Sequence, residues 1–365
     1  MFRLTSIGRL VLVGAAAAMV AGACGGSNPP PSGSTDVGSG SIQGAGATFP
    51  APFYTKAFLD YTAKYPNVTI NYQAVGSGAG IQQYIKKTVD FGASDVPMAA
   101  TDITSAGGAD TLTQIPTTLG VIAIAYNLSG VNKLQLDGPT LANIYLGHIT
   151  KWNDPALMAL NSGVNLPNKP IMVQHRSDGS GTTFHFTDYL AKVSDEWKTS
   201  VLLGKGPAKS IKWPVGNGGS GNAAVANNVI QTDGAIGYVE LAFVVQNKMQ
   251  QAFLKNADGN YVQASVDGAT AAASKNTSVS PTNFSITNEP GATTYPIAAF
   301  SWVILRTNYS DAALGKAIAN LFKWVVTDGQ TDGTALQYAP LPTAVQNLAL
   351  ANLKLVKANG TAVLS

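Results

Sequence analysis

Apolar residues recur at helical and extended spacings in turn along the chain. Four of them follow Pro50 on one face of a helical pattern, which predicts a helix with proline in its first turn; they are Phe53, Ala57, Phe58 and Tyr61. An extended segment over 68–75, a second helix starting within 76–80 and a short strand over 90–93 follow. This alternation is the spacing of parallel α/β units.

The same alternation continues toward the carboxyl terminus. Continuous apolar runs predict buried strands at 120–126, 171–175 and 300–305, and a helix over 314–325 stops at Gly329. In contrast, residues between 256 and 294 are rich in Ala, Ser, Thr, Asn and Gly with little periodicity, which predicts surface loops.

Length and composition favour a folded protein with two domains. A chain of 365 residues offers about two units of the roughly 150 residues that a domain needs. Charged residues make up 12% and hydrophobic residues 45%, against about 25% charged in an average soluble protein. These proportions exclude long disorder and coiled coil. No internal repeat is present, and no 18-residue apolar span lies beyond the amino-terminal segment.

The amino terminus has the pattern of an export signal. Residues 1–23 contain two arginines, an apolar run and small residues before Cys24, which predicts a secretory signal peptide, with a transmembrane anchor as the alternative. The segment 21–24 (AGAC) resembles the lipobox of bacterial lipoproteins, although Ala21 stands where leucine is usual. Since Cys24 is the only cysteine, its predicted role is lipid attachment. Residues 24–41 then form a predicted flexible linker, which places the mature protein outside the cytoplasmic membrane as a lipid-anchored chain.

Charge limits the partners that this protein can bind. The formal net charge is +3, and removal of the signal would leave 21 basic residues against 20 acidic ones. A nearly neutral protein lacks the basic field that sequence-independent nucleic-acid binding needs. Any anion that it binds must therefore be held by local groups.

The segment 175–183 (HRSDGSGTT) is a candidate anion site. A predicted strand runs into a Gly/Ser turn that opens a helix, and a helix start presents unpaired N–H groups and the positive end of the helix dipole. Ser180 and Thr182 add hydroxyl donors, Gly179 and Gly181 allow close approach of the backbone, and Arg176 can offer a bidentate fork. An ordinary N-cap is the alternative, because Ser and Thr are favoured there in any helix.

Two further turns repeat this arrangement. Residues 44–50 (GAGATFP) place glycines and Thr48 before the first helix, and Gly76-Ser77-Gly78 does the same for the second. Helix starts that point at a common place would supply many donors without net charge.

Asp95 follows the short strand and could be a simple cap or turn residue. In an anion site, however, a carboxylate is useful only if the anion brings a proton of its own. Phosphate meets this condition at neutral pH, whereas sulfate does not.

Other chemistries have weaker support. Residues 216–221 (GNGGSG) match G-x-G-x-x-G with Glu240 about 20 residues on, but Pro214 interrupts the approach and no buried strand precedes it, so a flexible loop is predicted instead. A hydrolase triad of Ser180, Asp178 and His175 or His185 is an alternative, yet no G-x-S-x-G elbow is present. No His or Cys pair has metal-ligand spacing, so neither a metal nor a cofactor is expected.

Taken together, these motifs resemble those of the phosphate-binding proteins of bacterial phosphate-specific ABC importers. The main matching segments are 44–52 (GAGATFPAP), 89–95 (VDFGASD), 176–182 (RSDGSGT) and 234–240 (GAIGYVE). Shorter matches lie between them at 136–138 (LDG), 144–147 (IYLG), 151–154 (KWND) and 212–214 (KWP). The resemblance runs in order through almost all of the chain from Gly44 onward.

The resemblance implies an α/β fold of the periplasmic-binding-protein class, a type II clamshell of two lobes with two hinge crossovers. One lobe would comprise 42–117 plus 298–365 and the other 118–297. The hinge would lie near 117–118 and 297–299.

By the same resemblance, the phosphate site is lined by Thr48, Phe49, Ser77, Asp95, Arg176, Asp178, Ser180, Gly181 and Thr182. Arg176 would be the strong cationic contact, and Asp178 would hold it. Two departures from the family pattern are Gly78, where a second serine is common, and Ser177, where alanine is frequent.

The sequence hypothesis is a lipid-anchored, non-enzymatic receptor that binds inorganic phosphate outside the cytoplasmic membrane and delivers it to the permease subunits of an ABC transporter. Two alternatives stay open at this point. One is an extracytoplasmic serine hydrolase built on Ser180, and the other is a structural or adhesive surface protein that keeps the fold without transport.

Overall fold

The computed structural model describes residues 36–364 of the chain. The predicted signal peptide, Cys24 and most of the predicted linker therefore lie outside the described residues. The first strand begins at Gly40, at the end of the linker predicted over 24–41.

The strands are β1 (Gly40–Gly46), β2 (Val68–Ala74), β3 (Phe91–Ser94), β4 (Leu112–Asn127), β5 (Gln135–Leu136), β6 (Met172–Arg176), β7 (Asn217–Gly219), β8 (Ala235–Glu240), β9 (Gln250–Gln251), β10 (Phe253–Lys255), β11 (Tyr261–Val262), β12 (Ala298–Arg306), β13 (Asn308–Tyr309), β14 (Lys357–Ala358) and β15 (Thr361–Ala362). The α-helices are α1 (Ala51–Lys64), α2 (Ser77–Ile85), α3 (Ala100–Ser105), α4 (Gly138–Leu146), α5 (Pro155–Leu160), α6 (Gly181–Val193), α7 (Gly221–Gln231), α8 (Leu241–Gln246), α9 (Val266–Ala273), α10 (Ala312–Val326), α11 (Thr331–Ala335) and α12 (Thr343–Leu353).

Most of the predicted elements are confirmed. The helix after Pro50 is α1, the helix predicted from 76–80 is α2, and the helix predicted over 314–325 is α10. The predicted strands correspond to β2, β3, β6 and β12, and the run 120–126 lies within β4.

Two of the loop predictions were wrong. The stretch 256–294 contains β11 and α9, whose buried face consists of Gly268 and three alanines rather than large apolar residues, so its periodicity was weak. The glycine-rich stretch 216–221 is a strand followed directly by a helix, β7 and α7, and β7 pairs in parallel with β6. A glycine strand has no apolar side chains to reveal it.

The main sheet has the strand order β2-β1-β3-β12-β4-β8-β6-β7, with β9 paired to β4. β1 runs parallel to β2 and β3, and β6 runs parallel to β7 and β8, whereas β12 is antiparallel to β3 and β4. The mixed α/β architecture is therefore as predicted from the sequence.

Strand β4 belongs to both halves of this sheet. Its residues from Leu112 to Val121 pair with β12, and its residues from Ile122 to Asn127 pair with β8. The segments predicted as hinges, 117–118 and 297–299, lie in or directly before these paired strands, and the β4–β12 ladder shifts register between Ser301 and Trp302. The proposed lobe boundaries stay a prediction.

Aromatic packing supports the strand ends that carry polar residues. The rings of Phe186 and Tyr238 stack with centroids 4.2 Å apart in the interior beside β6 and β8. The Tyr238 hydroxyl accepts a hydrogen bond of 3.0 Å from the Arg176 N–H, so this core fixes the end of β6. Among the described residues, no helix is both long and apolar enough to cross a membrane.

Candidate anion-binding site

Four strand-to-helix turns meet at one place, and three of them are the turns singled out in the sequence. The N–H of Gly78, in the first turn of α2, donates to the carbonyl oxygen of Gly179, just before α6, at 2.8 Å. The N–H of Gly181 donates to Ser77 Oγ at 3.1 Å. The turn before α1 contacts the start of α7, because the N–H of Asn222 donates to Thr48 Oγ1 at 3.2 Å.

Three hydroxyl groups at this meeting point each accept two hydrogen bonds. Thr48 Oγ1 accepts from the backbone N–H and from Nδ2 of Asn222, at 3.2 and 2.9 Å. Ser77 Oγ accepts from the N–H groups of Asp95 and Gly181, at 3.2 and 3.1 Å. Thr182 Oγ1 accepts from Arg176 Nη1 and Asn222 Nδ2, both at 3.2 Å.

A hydroxyl has two acceptor lone pairs and one proton. When both lone pairs are filled by neighbouring N–H groups, the proton must point elsewhere, and the geometry around Thr48, Ser77 and Thr182 is therefore that of preset donors. All three residues are buried. Such buried donors can replace the water molecules that surround an anion in solution.

The start of α6 adds further donors. Ser180 is its N-cap, and Oγ of Ser180 accepts the N–H of Thr183 at 3.0 Å. Gly181 comes so close to Asp95 that a Cβ atom on it would lie 2.5 Å from the Asp95 Cβ. Only glycine fits there. Because Gly181 has no side chain, the first residue of α6 can lie directly beside the Asp95 carboxylate.

Arg176 is buried, and its fork faces Asp178. Nε donates to Oδ1 at 2.7 Å and Nη2 donates to Oδ2 at 2.5 Å, while Nη1 donates to Thr182. The N–H of Gly221 also donates to Asp178 Oδ1, at 3.0 Å. Burial alone would raise the pKa of Asp178, but the bonds and charge of Arg176 outweigh it and lower that pKa below its ordinary value.

This arrangement refines the sequence interpretation of Arg176. The bidentate fork was expected to offer itself to the anion, whereas in the structure its Nε and Nη2 face the Asp178 carboxylate. Asp178 thus holds Arg176 in place, and Nη1 lies on the side of Thr182.

Asp95 is buried at the centre of these groups. Ser301 Oγ donates to Asp95 Oδ1, and His185 Nε2 lies 2.8 Å from the Asp95 carbonyl oxygen and donates to it. Burial raises the pKa of Asp95 to about 7, while the Ser301 hydrogen bond and the Arg176 charge act in the opposite direction. The carboxyl group therefore changes its proton occupancy close to neutral pH.

Two polar residues of the site were missed in the sequence. Asn222 bridges Thr48 and Thr182, and it follows the glycine-rich stretch that was interpreted as a loop, so a fourth Gly/Ser helix start was the available signal. Ser301 lies inside an apolar strand, and nothing in its local sequence indicates a functional role.

Phe49 contributes packing and its main chain rather than a polar side chain. Its ring lies edge-on to Tyr338, with centroids 6.3 Å apart. Its carbonyl oxygen accepts a hydrogen bond of 2.6 Å from the Tyr338 hydroxyl. These contacts fix the turn that carries Thr48.

The residues of the possible hydrolase triad are near one another but are not connected as a triad. His175 Nδ1 contacts the Arg176 carbonyl oxygen, and His185 Nε2 contacts the Asp95 carbonyl oxygen. Ser180 Oγ accepts from a backbone N–H instead of bonding to an imidazole. Within residues 36–364, no group of three His, Cys, Asp or Glu side chains could hold a metal ion.

The chain is similar in sequence to known proteins. A family model described as a PBP superfamily domain matches residues 30–328. The phosphate-binding protein PstS of Xylella fastidiosa is 45% identical over 322 residues, which cover 87% of this chain and 86% of that protein. The phosphate-binding protein PstS of Haemophilus influenzae is 45% identical over 309 residues, covering 84% of this chain and 90% of that protein.

A solved structure shares the fold at lower identity. The phosphate-binding protein of Stenotrophomonas maltophilia superposes with a TM-score of 0.67 at 20% identity, covering 86% of this chain and 94% of the other. The chain thus has the curled α/β fold of the periplasmic binding proteins.

Proposed function

This chain belongs to the phosphate-binding proteins of the PBP superfamily, and from that membership we propose the way in which its residues work. The protein binds inorganic phosphate for import by an ABC transporter. The serine hydrolase reading receives no support from the relatives or from the surroundings of Ser180.

The observation that carries the proposal is the set of hydroxyls whose lone pairs are already filled. Thr48 and Thr182 each have one proton left to donate, the Ser77 hydroxyl is shared with the Asp95 carboxyl group, and the N-cap Ser180 adds another hydroxyl. Neutral donors that are fixed before the ligand arrives can replace the water around a phosphate without paying for reorganisation.

Each of the remaining site residues has its own role in binding the anion. Arg176 supplies the positive charge, and Asp178 orients its guanidinium group. Asp95 accepts the proton that mono- or dihydrogen phosphate carries, whereas sulfate at neutral pH would set one negative charge against another. Gly181 brings the α6 N-terminus close to the ligand, and Phe49 closes the site beside Thr48.

The proposed movement is closure of two lobes, 42–117 plus 298–365 against 118–297. The contacts between Gly78 and Gly179, and between Ser77 and Gly181, would then join the lobes in the closed state. Because β4 and β12 cross between the lobes, their central residues would take up the rotation.

The proposed location is outside the cytoplasmic membrane, with a lipid on Cys24 and the membrane permease as partner. The signal-like segment and the lone cysteine support this part. The protein would act by binding alone, without catalysis or a cofactor.

Calorimetry separates the proposal from its alternatives. Phosphate should bind with one site per chain, and a chromogenic phosphate or acyl ester should show no turnover above background. Absence of phosphate binding would refute the proposal, and hydrolysis that is lost in Ser180→Ala would favour the hydrolase. Small-angle scattering should also show a smaller radius of gyration with phosphate; identical curves at saturation would reject lobe closure.

A further inference from the structure

Ser301 is a buried hydroxyl in a strand that is otherwise apolar. It lies in β12 beside Phe300 and Trp302, and all three side chains are buried. A buried hydroxyl without a partner destabilises a fold, so its partner indicates its use. That partner is Asp95 Oδ1, which is 206 positions away in the chain.

The backbone of Ser301 is held from the opposite direction. Thr117 Oγ1 donates to the Ser301 carbonyl oxygen at 3.2 Å, and the Thr117 hydroxyl also lies 2.6 Å from the Tyr54 hydroxyl. The pairing between β4 and β12 also shifts its register directly after Ser301. The serine is thus fixed in position independently of Asp95.

The two oxygens of the Asp95 carboxylate have different surroundings. Oδ1 receives the Ser301 hydrogen bond, whereas Oδ2 faces the start of α6, where a Cβ atom on Gly181 would lie 2.6 Å from it. Since Ser301 occupies Oδ1, Oδ2 is the oxygen directed toward the anion-binding turns.

A hydrogen bond donated to a carboxylate stabilises its ionised form. An ionised Asp95 can only accept, so it favours an anion that brings a proton. A neutral Asp95 would instead donate a proton and would accept sulfate as well as phosphate.

We propose that Ser301 is a specificity-determining residue, which keeps Asp95 as a proton acceptor and leaves Oδ2 for the proton of phosphate. This inference rests on the proposed phosphate function, since it concerns the same site. Ser301 does not touch the ligand in this scheme, and it acts through Asp95.

Several ionisable groups surround Asp95 and would contribute to the pH dependence. They are Tyr54 on α1, Tyr72 on β2, Arg176 on β6, Asp178 after it, His185 on α6, Glu240 at the end of β8, and Tyr338. Burial raises the pKa of the three tyrosines and of Glu240 and lowers that of His185, so it favours the neutral form of all five groups. Arg176 and Asp178 form a charged pair. The pKa of Asp95, about 7, lies within the pH range of the test that follows.

The test is competition binding of phosphate and sulfate from pH 5.5 to pH 8.5 at fixed ionic strength. In the wild type, sulfate affinity should fall about tenfold per pH unit above the Asp95 pKa, because only the protonated carboxyl binds it. In Ser301→Ala this fall should start about one pH unit higher, so that the phosphate-to-sulfate ratio at pH 8 drops about fivefold.

Two variants keep the test valid if the alanine variant does not fold. Ser301→Thr keeps the hydroxyl and should keep the wild-type profile, whereas Ser301→Cys keeps the volume but donates weakly and should shift the profile upward. Ser105→Ala, on the exposed face of α3, is the matched control and should change nothing.

Identical profiles for Ser301→Cys and Ser301→Thr, or a folded Ser301→Ala with the wild-type ratio at pH 8, would overturn the role of Ser301. These outcomes differ from failure of the proposed function, in which the wild type itself would not bind phosphate.

Discussion

The backbone of Gly78 is in direct contact with the backbone of Gly179. Besides their hydrogen bond of 2.8 Å, a Cβ atom placed on Gly179 would lie 3.1 Å from the Gly78 Cα. Position 78, where the resembled family often has serine, is therefore a place where the backbones of two turns touch directly. Any larger residue at Gly179 must push the turns apart by a few tenths of an ångström.

Gly179→Ala should consequently weaken phosphate binding by about 1–2 kcal/mol, because overpacking opposes the closed arrangement. Calorimetry measures this change. Gly333→Ala is the control, since a Cβ atom there meets its neighbours no closer than 3.4 Å. Equal affinity in Gly179→Ala and the wild type would show that this contact does not form in the bound protein.

Arg176→Lys should weaken phosphate binding by about 1–3 kcal/mol, the range for a lost charge-assisted hydrogen bond. A lysine ammonium cannot hold both Asp178 oxygens and Thr182 as the guanidinium does. Arg306→Lys is the matched control, because Arg306 bonds to the Val89 carbonyl oxygen, away from the site. Unchanged affinity in Arg176→Lys would remove Arg176 from the phosphate site.

Asp95→Asn should abolish the rejection of sulfate. At pH 8, above its pKa of about 7, Asp95 is mostly ionised, and the wild type should prefer phosphate by about tenfold or more, because the carboxyl group must first be protonated before sulfate binds. The amide keeps the shape, carries no charge and can donate, so sulfate affinity should rise more than phosphate affinity changes. Competition binding measures the ratio of phosphate affinity to sulfate affinity. If this ratio is the same in the variant and the wild type, Asp95 has no role in selecting the anion.

Asn222→Asp should lower phosphate affinity strongly, by about tenfold or more. A carboxylate in place of the amide accepts hydrogen bonds, so it would draw the protons of Thr48 and Thr182 away from the ligand. Titration calorimetry of this variant is compared with Asn247→Asp, where the side chain bonds only locally on α8. The prediction fails if both variants bind phosphate as the wild type does.

Cys24→Ala should release the protein from membranes into the soluble extracytoplasmic fraction. The reason is that the thiol is the predicted acceptor of the lipid. Membrane fractionation followed by immunoblotting measures it. Retention of the variant at the wild-type level would exclude the lipid anchor.

The parts of the fold that could be predicted from the sequence are those with local signals. Glycines beside Ser or Thr at a strand-to-helix junction marked the turns at Thr48, Ser77 and Ser180, and the structure brings these turns together. Their shared position follows from the order of the strands in the sheet, which no local pattern specifies.

The first half of β4 escaped prediction because buried polar residues interrupt its apolar run. Gln114 Oε1 accepts the N–H of Met98 at 2.7 Å, and Thr117 bonds to Tyr54 and to the Ser301 carbonyl oxygen. These partners are distant in sequence, so no local pattern shows that the polar positions lie in a buried strand. Asn222 and Ser301 were missed for the same reason, since their partners Thr48 and Asp95 lie 174 and 206 positions away.

The position of β12 between β3 and β4 has a consequence for the order of folding. Residues 298–306 must insert between strands that come almost 200 positions earlier, so the sheet cannot be completed until most of the chain is available. Contacts of such long range form slowly. The proposed location outside the cytoplasmic membrane fits this delay, since the amino-terminal part of such a chain would not lock into a folded sheet while the rest still has to cross the membrane.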